Sequence, residues 1–129
     1  MNLNHATVLA TDIAASIEFY ERLGLELIVR SPHYARFRCP TGDSTFSVEL
    51  ARASHVPSST VVYFETASLD ETVERLQRAG IEFDQEPRDE KWQWREARLS
   101  DPSGNAICLY WAGVNRLDPP WRLGRDVPQ

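Results

Sequence analysis

The sequence has few cysteines, no dense positive charge and no long apolar run. Its 129 residues include two cysteines, Cys39 and Cys108, without C-x-x-C spacing, which excludes a zinc knuckle and a thioredoxin-like pair. The net charge is -5, so we predict neither a nucleic-acid nor an anionic-membrane partner, since both need a cationic surface. No apolar run reaches the roughly 20 residues that span a bilayer, and residues 1–7 lack an export-signal pattern. We expect a soluble, cytoplasmic protein.

What the sequence does contain is an internal repeat at a shift of 56 residues. First-copy residues with a similar partner 56 positions later are Ile13, Ile17, Tyr20, Leu23, Gly24, Leu25, Glu26 and Leu27. The same shift places His5 on Val61, so the polar residue of the first strand is not repeated. A duplicated unit builds a cavity from matching strands, and its chemistry depends on which inward positions kept polar groups.

Each copy has the pattern β-α-β-β-β. Residues 3–10 predict a strand, Thr11 or Asp12 caps a helix, and Gly24 ends it. In the second copy, residues 61–66 predict a strand, Ser68-Leu69-Asp70-Glu71 a capping box, and Gly80 the helix end. The remaining predicted strands are 25–30, 34–39 and 45–50 in the first copy, and 81–85, 94–100 and 106–111 in the second.

These elements predict one domain over residues 1–129. Its parts are a first module (2–52), a linker (53–59), a second module (60–112) and a C-terminal tail (113–129). The linker is rich in small residues and contains proline. We predict that His33 and His55 are solvent-facing loop residues.

Two such copies resemble the vicinal oxygen chelate superfamily, the group of glyoxalases, bleomycin-resistance proteins and extradiol dioxygenases. The resemblance covers residues 3–112 and rests on three motifs: His5-x6-Asp12 leading into Ile17-Glu18-Phe19-Tyr20-x2-Leu23-Gly24, then Tyr63-Phe64-Glu65 leading into Leu69-Asp70-x-Thr72-Val73-x2-Leu76-x3-Gly80, and finally Asp101-Pro102-Ser103-Gly104-Asn105. It implies an α+β fold of two tandem βαβββ modules that form a half-barrel cavity, a small-molecule ligand and a homodimer. It does not choose a reaction.

The resemblance also implies positions for metal ligands, on the first and last strands of each copy. His5 matches the first position and Glu49 the second, while the third falls on Val61 and the fourth on Cys108. Valine cannot bind a metal, and a thiolate beside a carboxylate suits zinc or iron. Glu65, four residues after Val61 on the same strand face, is the best further donor, and Cys108 is the alternative. One divalent ion, Zn, Fe, Mn or Ni, would then be held, with Glu49 or Glu65 moving a proton.

Each of these four polar residues also has a structural interpretation. His5 is as readily a hydrogen-bonded residue as a ligand. Glu49 alternates with apolar residues, which is typical of a half-exposed strand. Cys108 fits a small buried hydrophobic residue, and Glu65 fits an ion pair with an arginine across the sheet.

An aromatic segment, residues 91–96, is the second candidate site. Alternation places Trp92, Trp94 and Glu96 on one strand face, which would offer stacking surface and a carboxylate to a planar ligand. A core or dimer-interface role fits the two tryptophans equally well. The predicted substrate-binding residues are Val61, Tyr63, Trp92, Trp94, Cys108 and Tyr110.

Two functions from different classes therefore stay open. The first is a metal-dependent lyase, isomerase or oxygenase of glyoxalase or dioxygenase type, in which His5 and Glu49 hold the ion. Its incomplete ligand set, with Val61 at the third position, counts against it. The second is a metal-free protein of the bleomycin-resistance type that binds a drug or metabolite. A polar His5 and Glu49 in the cavity count mildly against that function.

Overall fold

The structure, a computed structural model, describes residues 1–52 and 59–124. Most of the predicted linker, with His55, and the end of the tail lie outside the described residues. The strands are β1 (His5–Ala10), β2 (Glu26–Ser31), β3 (Tyr34–Arg38), β4 (Thr45–Leu50), β5 (Val61–Glu65), β6 (Gln85–Asp89), β7 (Arg95–Ser100) and β8 (Ala106–Trp111). The helices are α1 (Ile13–Leu23), α2 (Leu69–Arg78) and a 3-10 turn, Gly113–Arg116. This order confirms the predicted α+β fold of two βαβββ modules.

The first compact unit comprises residues 1–60 and 100–106. Its sheet has the strand order β1-β4-β3-β2, with β1 and β4 parallel and the other neighbours antiparallel. Side chains alternate between the two faces of a strand, so one face collects apolar residues. On it, the ring of Tyr20 from α1 packs 5.7 Å from Phe37 and 4.7 Å from Phe46, measured between centroids. The opposite face of this sheet is therefore left for polar residues.

Helix α1 begins and ends at the residues that the sequence predicts. Asp12 accepts a 3.0 Å hydrogen bond from the Ala15 amide, which satisfies one of the free N–H groups of the first turn. Gly24 has φ +106°, a left-handed conformation that disfavours residues with a side chain. Because Gly24 ends α1, the chain can turn there and β2 begins at Glu26.

The second compact unit comprises residues 61–99 and 107–129. Its sheet has the order β5-β8-β7-β6, and α2 buries Leu69, Val73 and Leu76. The predicted capping box is not formed, because the side chain of Ser68 makes no capping hydrogen bond to α2. Among the described residues, neither helix is both long and apolar enough to cross a membrane.

One predicted strand of the second copy is misplaced. The prediction covered residues 81–85, whereas β6 runs from Gln85 to Asp89. The Ile81 amide instead donates to the Leu76 carbonyl and closes the end of α2. Strand β6 is an edge strand with an irregular register between Gln85 and Arg88. An edge position of this kind tolerates Pro87, which has no N–H to donate.

Candidate ligand-binding faces

The polar face of the first sheet is formed where β1 lies parallel to β4. The register pairs His5 with Thr45 and Thr7 with Ser47, so four polar side chains meet on one face. The hydroxyl oxygens of Thr7 and Ser47 are 2.6 Å apart. Sequence reasoning identified His5 here and missed the hydroxyls, although the alternation Thr45, Ser47, Glu49 places them on the same face.

Both ring nitrogens of His5 lie within hydrogen-bond distance of hydroxyl groups. Nδ1 is 2.6 Å from Oγ1 of Thr45, and Nε2 is 3.1 Å from Oγ of Ser47. Hydroxyl groups both donate and accept, so they satisfy either tautomer of the imidazole. A metal ion would have to displace one of these contacts, because a ligating nitrogen gives its lone pair to the ion.

Tyr34 and Arg36 of β3 extend this polar face. Nε of Arg36 donates a 2.9 Å hydrogen bond to the Tyr34 hydroxyl, and its guanidinium lies 5.4 Å from the Tyr34 ring centroid. A hydrogen bond with Ser47 lowers the pKa of Tyr34, and the Arg36 contact acts in the same direction. The face is therefore a connected set of hydroxyl, imidazole and guanidinium groups.

Glu49, the second predicted metal ligand, lies further along β4 and is exposed. It pairs with Leu9 of β1 and Tyr34 of β3, whereas His5 pairs with Thr45. Glu49 is thus four residues beyond the partner of His5, about 13 Å along the strand at the usual rise. The register alone does not bring His5 and Glu49 to one ion.

Three aromatic rings on one face of the second sheet, Tyr63, Trp94 and Tyr110, form what we call the aromatic face. The rings of Trp94 and Tyr110 stack with centroids 4.7 Å apart and an interplanar angle of 21°. The Tyr63 ring stands edge-on to both, at 6.0 Å from Trp94 and 5.5 Å from Tyr110. Val61 and Cys108 pack beside them. The structure therefore brings together five of the six predicted substrate-binding residues.

The sixth predicted residue, Trp92, is held by Glu96. Its indole N–H donates a 2.7 Å hydrogen bond to Oε2 of Glu96, and Nη2 of Arg98 lies 2.7 Å from Oε1. Glu96 is only 2% exposed. Its two carboxylate oxygens are therefore engaged within the protein, and the expectation that Glu96 offers a carboxylate to a ligand is not supported by these contacts.

Glu65, the proposed third metal donor, is bound to the backbone after β8. Its Oε2 accepts hydrogen bonds of 2.9 Å from the Ala112 amide and 3.0 Å from the Gly113 amide. Its Oε1 lies 3.5 Å from Nε of Arg116. Glu65 therefore pairs with an arginine, as expected, but Arg116 lies in the 3-10 turn after β8 and not across the sheet. The carboxylate stabilises the start of that turn.

Cys108, at the fourth ligand position, is completely buried. Burial raises the pKa of its thiol to about 12. Thiols bind metals as thiolates, so a neutral, desolvated thiol is a poor ligand. This environment matches the interpretation of Cys108 as a small buried hydrophobic residue.

The donor set as a whole does not fit a divalent ion. Within residues 1–52 and 59–124, no group of three or more His, Cys, Asp or Glu side chains is placed to hold one. The third family position is Val61. Of the substitutes, Glu65 accepts hydrogen bonds from two backbone amides and Cys108 is fully buried. The two remaining positions, His5 and Glu49, are not brought to one ion by the strand register.

Sequence reasoning did not identify Arg98. It continues the alternation of Trp94, which directly precedes β7, and Glu96 in β7, and its guanidinium lies 5.5 Å from the Tyr63 ring centroid. The period of two along β7 was the available signal, because it carries the face from Trp94 past Glu96 to Arg98.

Comparisons with known proteins agree with this architecture. The family model of the Glyoxalase/Bleomycin resistance protein/Dioxygenase superfamily matches residues 2–109. A glyoxalase/bleomycin resistance protein/dioxygenase from Nocardioides superimposes with a TM-score of 0.71 at 26% identity, over 100% of this chain and 89% of its own. No curated protein sequence matches the chain.

Two further solved structures share the fold. A lactoylglutathione lyase from Agrobacterium tumefaciens superimposes with a TM-score of 0.73 at 18% identity, over 88% of this chain and 95% of its own. A bleomycin resistance determinant encoded on the transposon Tn5 gives 0.72 at 19% identity, over 86% and 98%. Similar scores for an enzyme and a resistance protein mean that the fold does not select between them.

Proposed function

Because the chain belongs to the Glyoxalase/Bleomycin resistance protein/Dioxygenase superfamily, we propose that it is a metal-independent small-molecule-binding protein of the bleomycin-resistance type. Its ligand is a planar aromatic drug or metabolite that contacts the aromatic face of the second sheet. The protein acts by holding this ligand, and no chemical step is required of it.

The observation that carries the proposal is the state of the candidate metal donors. Both nitrogens of His5 contact hydroxyls, Glu65 accepts from two backbone amides, and the Cys108 thiol is buried. Taking Glu65 from its two amides would leave the part-buried Ala112 donor unpaired, which costs about 1–3 kcal/mol, whereas the exposed Gly113 donor can bond to water. Recruiting Glu65 to an ion would therefore require rearrangement around its own carboxylate.

The aromatic face supports the ligand half of the proposal. The indole N–H of Trp94 donates a 3.3 Å hydrogen bond to the Asn115 carbonyl, and its ring stacks on Tyr110, which is 6% exposed. Tyr63 is 42% exposed beside them. Rings that are already fixed lose little side-chain freedom on binding, so the face is pre-organised for a planar molecule.

A ligand screen in the presence of EDTA tests the proposal. Compounds with naphthalene, quinoline and phenyl rings, charged and neutral, are added to the protein, and thermal shift and tryptophan fluorescence are recorded. We expect at least one compound to raise the melting temperature and quench fluorescence with saturation. Trp94→Leu should weaken that binding by tenfold or more.

Trp121→Leu is the matched control. Trp121 is 52% exposed and lies outside the aromatic face, so its loss removes one indole and should leave the affinity within twofold of the wild type. Equal weakening by the two variants, or no saturable binding of any compound, would count against the proposal.

The metal-dependent alternative, with His5 and Glu49 as ligands, stays a prediction from the resemblance. The homodimer does too. The metal content of protein purified without chelator tests the first, and the mass in solution tests the second.

A further inference from the structure

Arg98 lies beside the aromatic face, and one nitrogen of its guanidinium, Nη2, makes hydrogen bonds to neighbouring side chains. It forms a 2.7 Å ion pair with Glu96 and a 3.2 Å hydrogen bond with the Tyr63 hydroxyl, both from Nη2. The Arg98 side chain is 32% exposed, whereas that of Glu96 is 2% exposed. The buried carboxylate therefore anchors one end of a guanidinium whose remainder reaches the surface.

Among the described residues, the other N–H groups of Arg98 and the hydroxyl hydrogen of Tyr63 donate to no protein group. A guanidinium has five N–H donors. In the part of the chain that the structure describes, Nε and Nη1 of Arg98 donate to no protein group. The Tyr63 hydroxyl accepts from Arg98, so its own hydrogen is left to donate, and accepting a charged hydrogen bond strengthens it as a donor. Arg98 and the Tyr63 hydroxyl can therefore each donate a hydrogen bond to an added oxyanion.

Three acidic residues of the second unit are each paired with a cation, so none of these three presents an unpaired carboxylate to an added anion. Glu96 is paired with Arg98, Glu65 with Arg116 and the Ala112 and Gly113 amides, and Glu90 with Arg88. These three carboxylates are thus each paired with a cation. A ligand anion at Arg98 would meet donors from Arg98 and Tyr63.

The apolar part of the ligand has a defined place next to these donors. Tyr63 carries both the hydroxyl that contacts Arg98 and the ring that packs on Trp94 and Tyr110. An oxyanion bonded to the hydroxyl therefore sits at the rim of the aromatic face. A planar body attached to that oxyanion lies within reach of the rings of Tyr63 and Trp94.

We infer that the ligand is a planar aromatic acid, whose carboxylate is bound by Arg98 and the Tyr63 hydroxyl while its ring lies against Tyr63 and Trp94. This inference rests on the proposed function and narrows its ligand class. The same donors would accept a sulfonate on the same ring, since it presents comparable oxygens.

Three matched probes test the inference: 2-naphthoate, its neutral methyl ester and cationic 2-naphthylmethylamine. Affinity is measured by fluorescence titration at low and high salt, with EDTA present. We expect the acid to bind at least tenfold more tightly than the ester and the amine to bind weakest. The advantage of the acid should shrink with salt, because screening weakens charged contacts at the surface. 2-Naphthalenesulfonate distinguishes carboxylate from general oxyanion recognition.

Variants assign the effect to the two residues. Tyr63→Phe keeps the ring and should weaken the acid about threefold or more without changing the ester. Arg98→Gln combined with Glu96→Gln keeps the buried charges balanced and should abolish the preference for acid over ester. Arg95→Gln is the control, because Arg95 pairs with the exposed Asp70 and Asp89 on the other face of β7.

Two kinds of failure are distinguishable. If the ester binds as tightly as the acid, or if the Arg98 double variant keeps the acid preference, the inference is wrong and the aromatic-binding function stands. If none of the three probes nor any compound of the wider screen binds, the proposed function itself fails.

Discussion

The phenol of Tyr20 in α1 donates a 2.6 Å hydrogen bond to Oδ2 of Asp101, 81 positions later in the chain. Both side chains are buried, with Asp101 5% exposed and Tyr20 fully enclosed. Oδ1 of Asp101 accepts from the Ser103 and Asn105 amides, and Oδ2 also accepts from the Asn105 side chain. The Asp-Pro-Ser-Gly-Asn motif is thereby joined to α1 within the first unit.

Removing the hydroxyl of Tyr20 should destabilise the protein. Tyr20→Phe leaves a buried carboxylate with one donor fewer, and we expect a loss of about 1.5–3 kcal/mol in the free energy of unfolding. Urea denaturation measures it. The control is Tyr34→Phe, whose hydroxyl contacts Ser47 and the exposed Arg36 but no buried charge. Because Ser47 keeps its contacts with His5 and Thr7, the loss should cost about 0.5 kcal/mol or less. Equal costs for the two variants would contradict the role of the Asp101 contact.

The two predicted catalytic carboxylates should differ in their effect on stability. Glu65→Gln weakens the hydrogen bonds to the Ala112 and Gly113 amides and the pair with Arg116, so we expect a loss of about 1 kcal/mol. Glu49→Gln should have little effect, because Glu49 is exposed. Thermal unfolding of the two variants checks this. A larger loss for Glu49→Gln would show that the contacts of Glu65 contribute little.

The two thiols should react at different rates in the native protein. Cys39 is half-buried, whereas Cys108 is fully buried with its pKa raised to about 12. With a chromogenic disulfide reagent at pH 8, we expect Cys39 to react readily and Cys108 to react only as fast as the protein unfolds. Cys39→Ser should remove the faster phase. Rapid reaction of both thiols would place Cys108 in an open environment.

Cys108 should also contribute to the alkaline limit of stability. Burial raises its pKa in the folded state above the ordinary value of 9.0, so the unfolded chain releases the proton first. The stabilisation is present below about pH 9 and is lost as pH rises towards 12, by about 1.4 kcal/mol per pH unit. Urea midpoints at pH 8 and pH 10 should therefore fall more steeply in the wild type than in Cys108→Ala. Parallel slopes would contradict this.

The parts of the fold with local causes could be predicted from sequence. Strands β4 and β8 have the bounds that alternation predicts, and α1 starts after Asp12 and ends before Gly24 because capping and left-handed residues act within one turn. Strand β6 could not be placed, since it depends on pairing with β7 and carries an irregular register. Repetition of the first copy gave the wrong boundary there.

The site was less predictable than the fold, for the same physical reason. The sequence shows that Glu65 and Glu96 are acidic, but only the tertiary structure shows that one binds two backbone amides and the other Arg98 and Trp92. The aromatic face was predictable. Alternation along one strand places Trp94 on it, and the resemblance implies that residues of β5 and β8 line the cavity. Long-range partners decide which groups stay free for a ligand.

The metal dependence of ligand binding tests the central claim most directly. The affinity for 2-naphthoate, or for the best compound of the screen, is measured by calorimetry after EDTA treatment and again with zinc, manganese, nickel or ferrous iron. We predict affinities within twofold of one another and no stoichiometric metal. Binding that requires one ion per chain, and that His5→Ala abolishes together with the metal, would contradict metal-independent function.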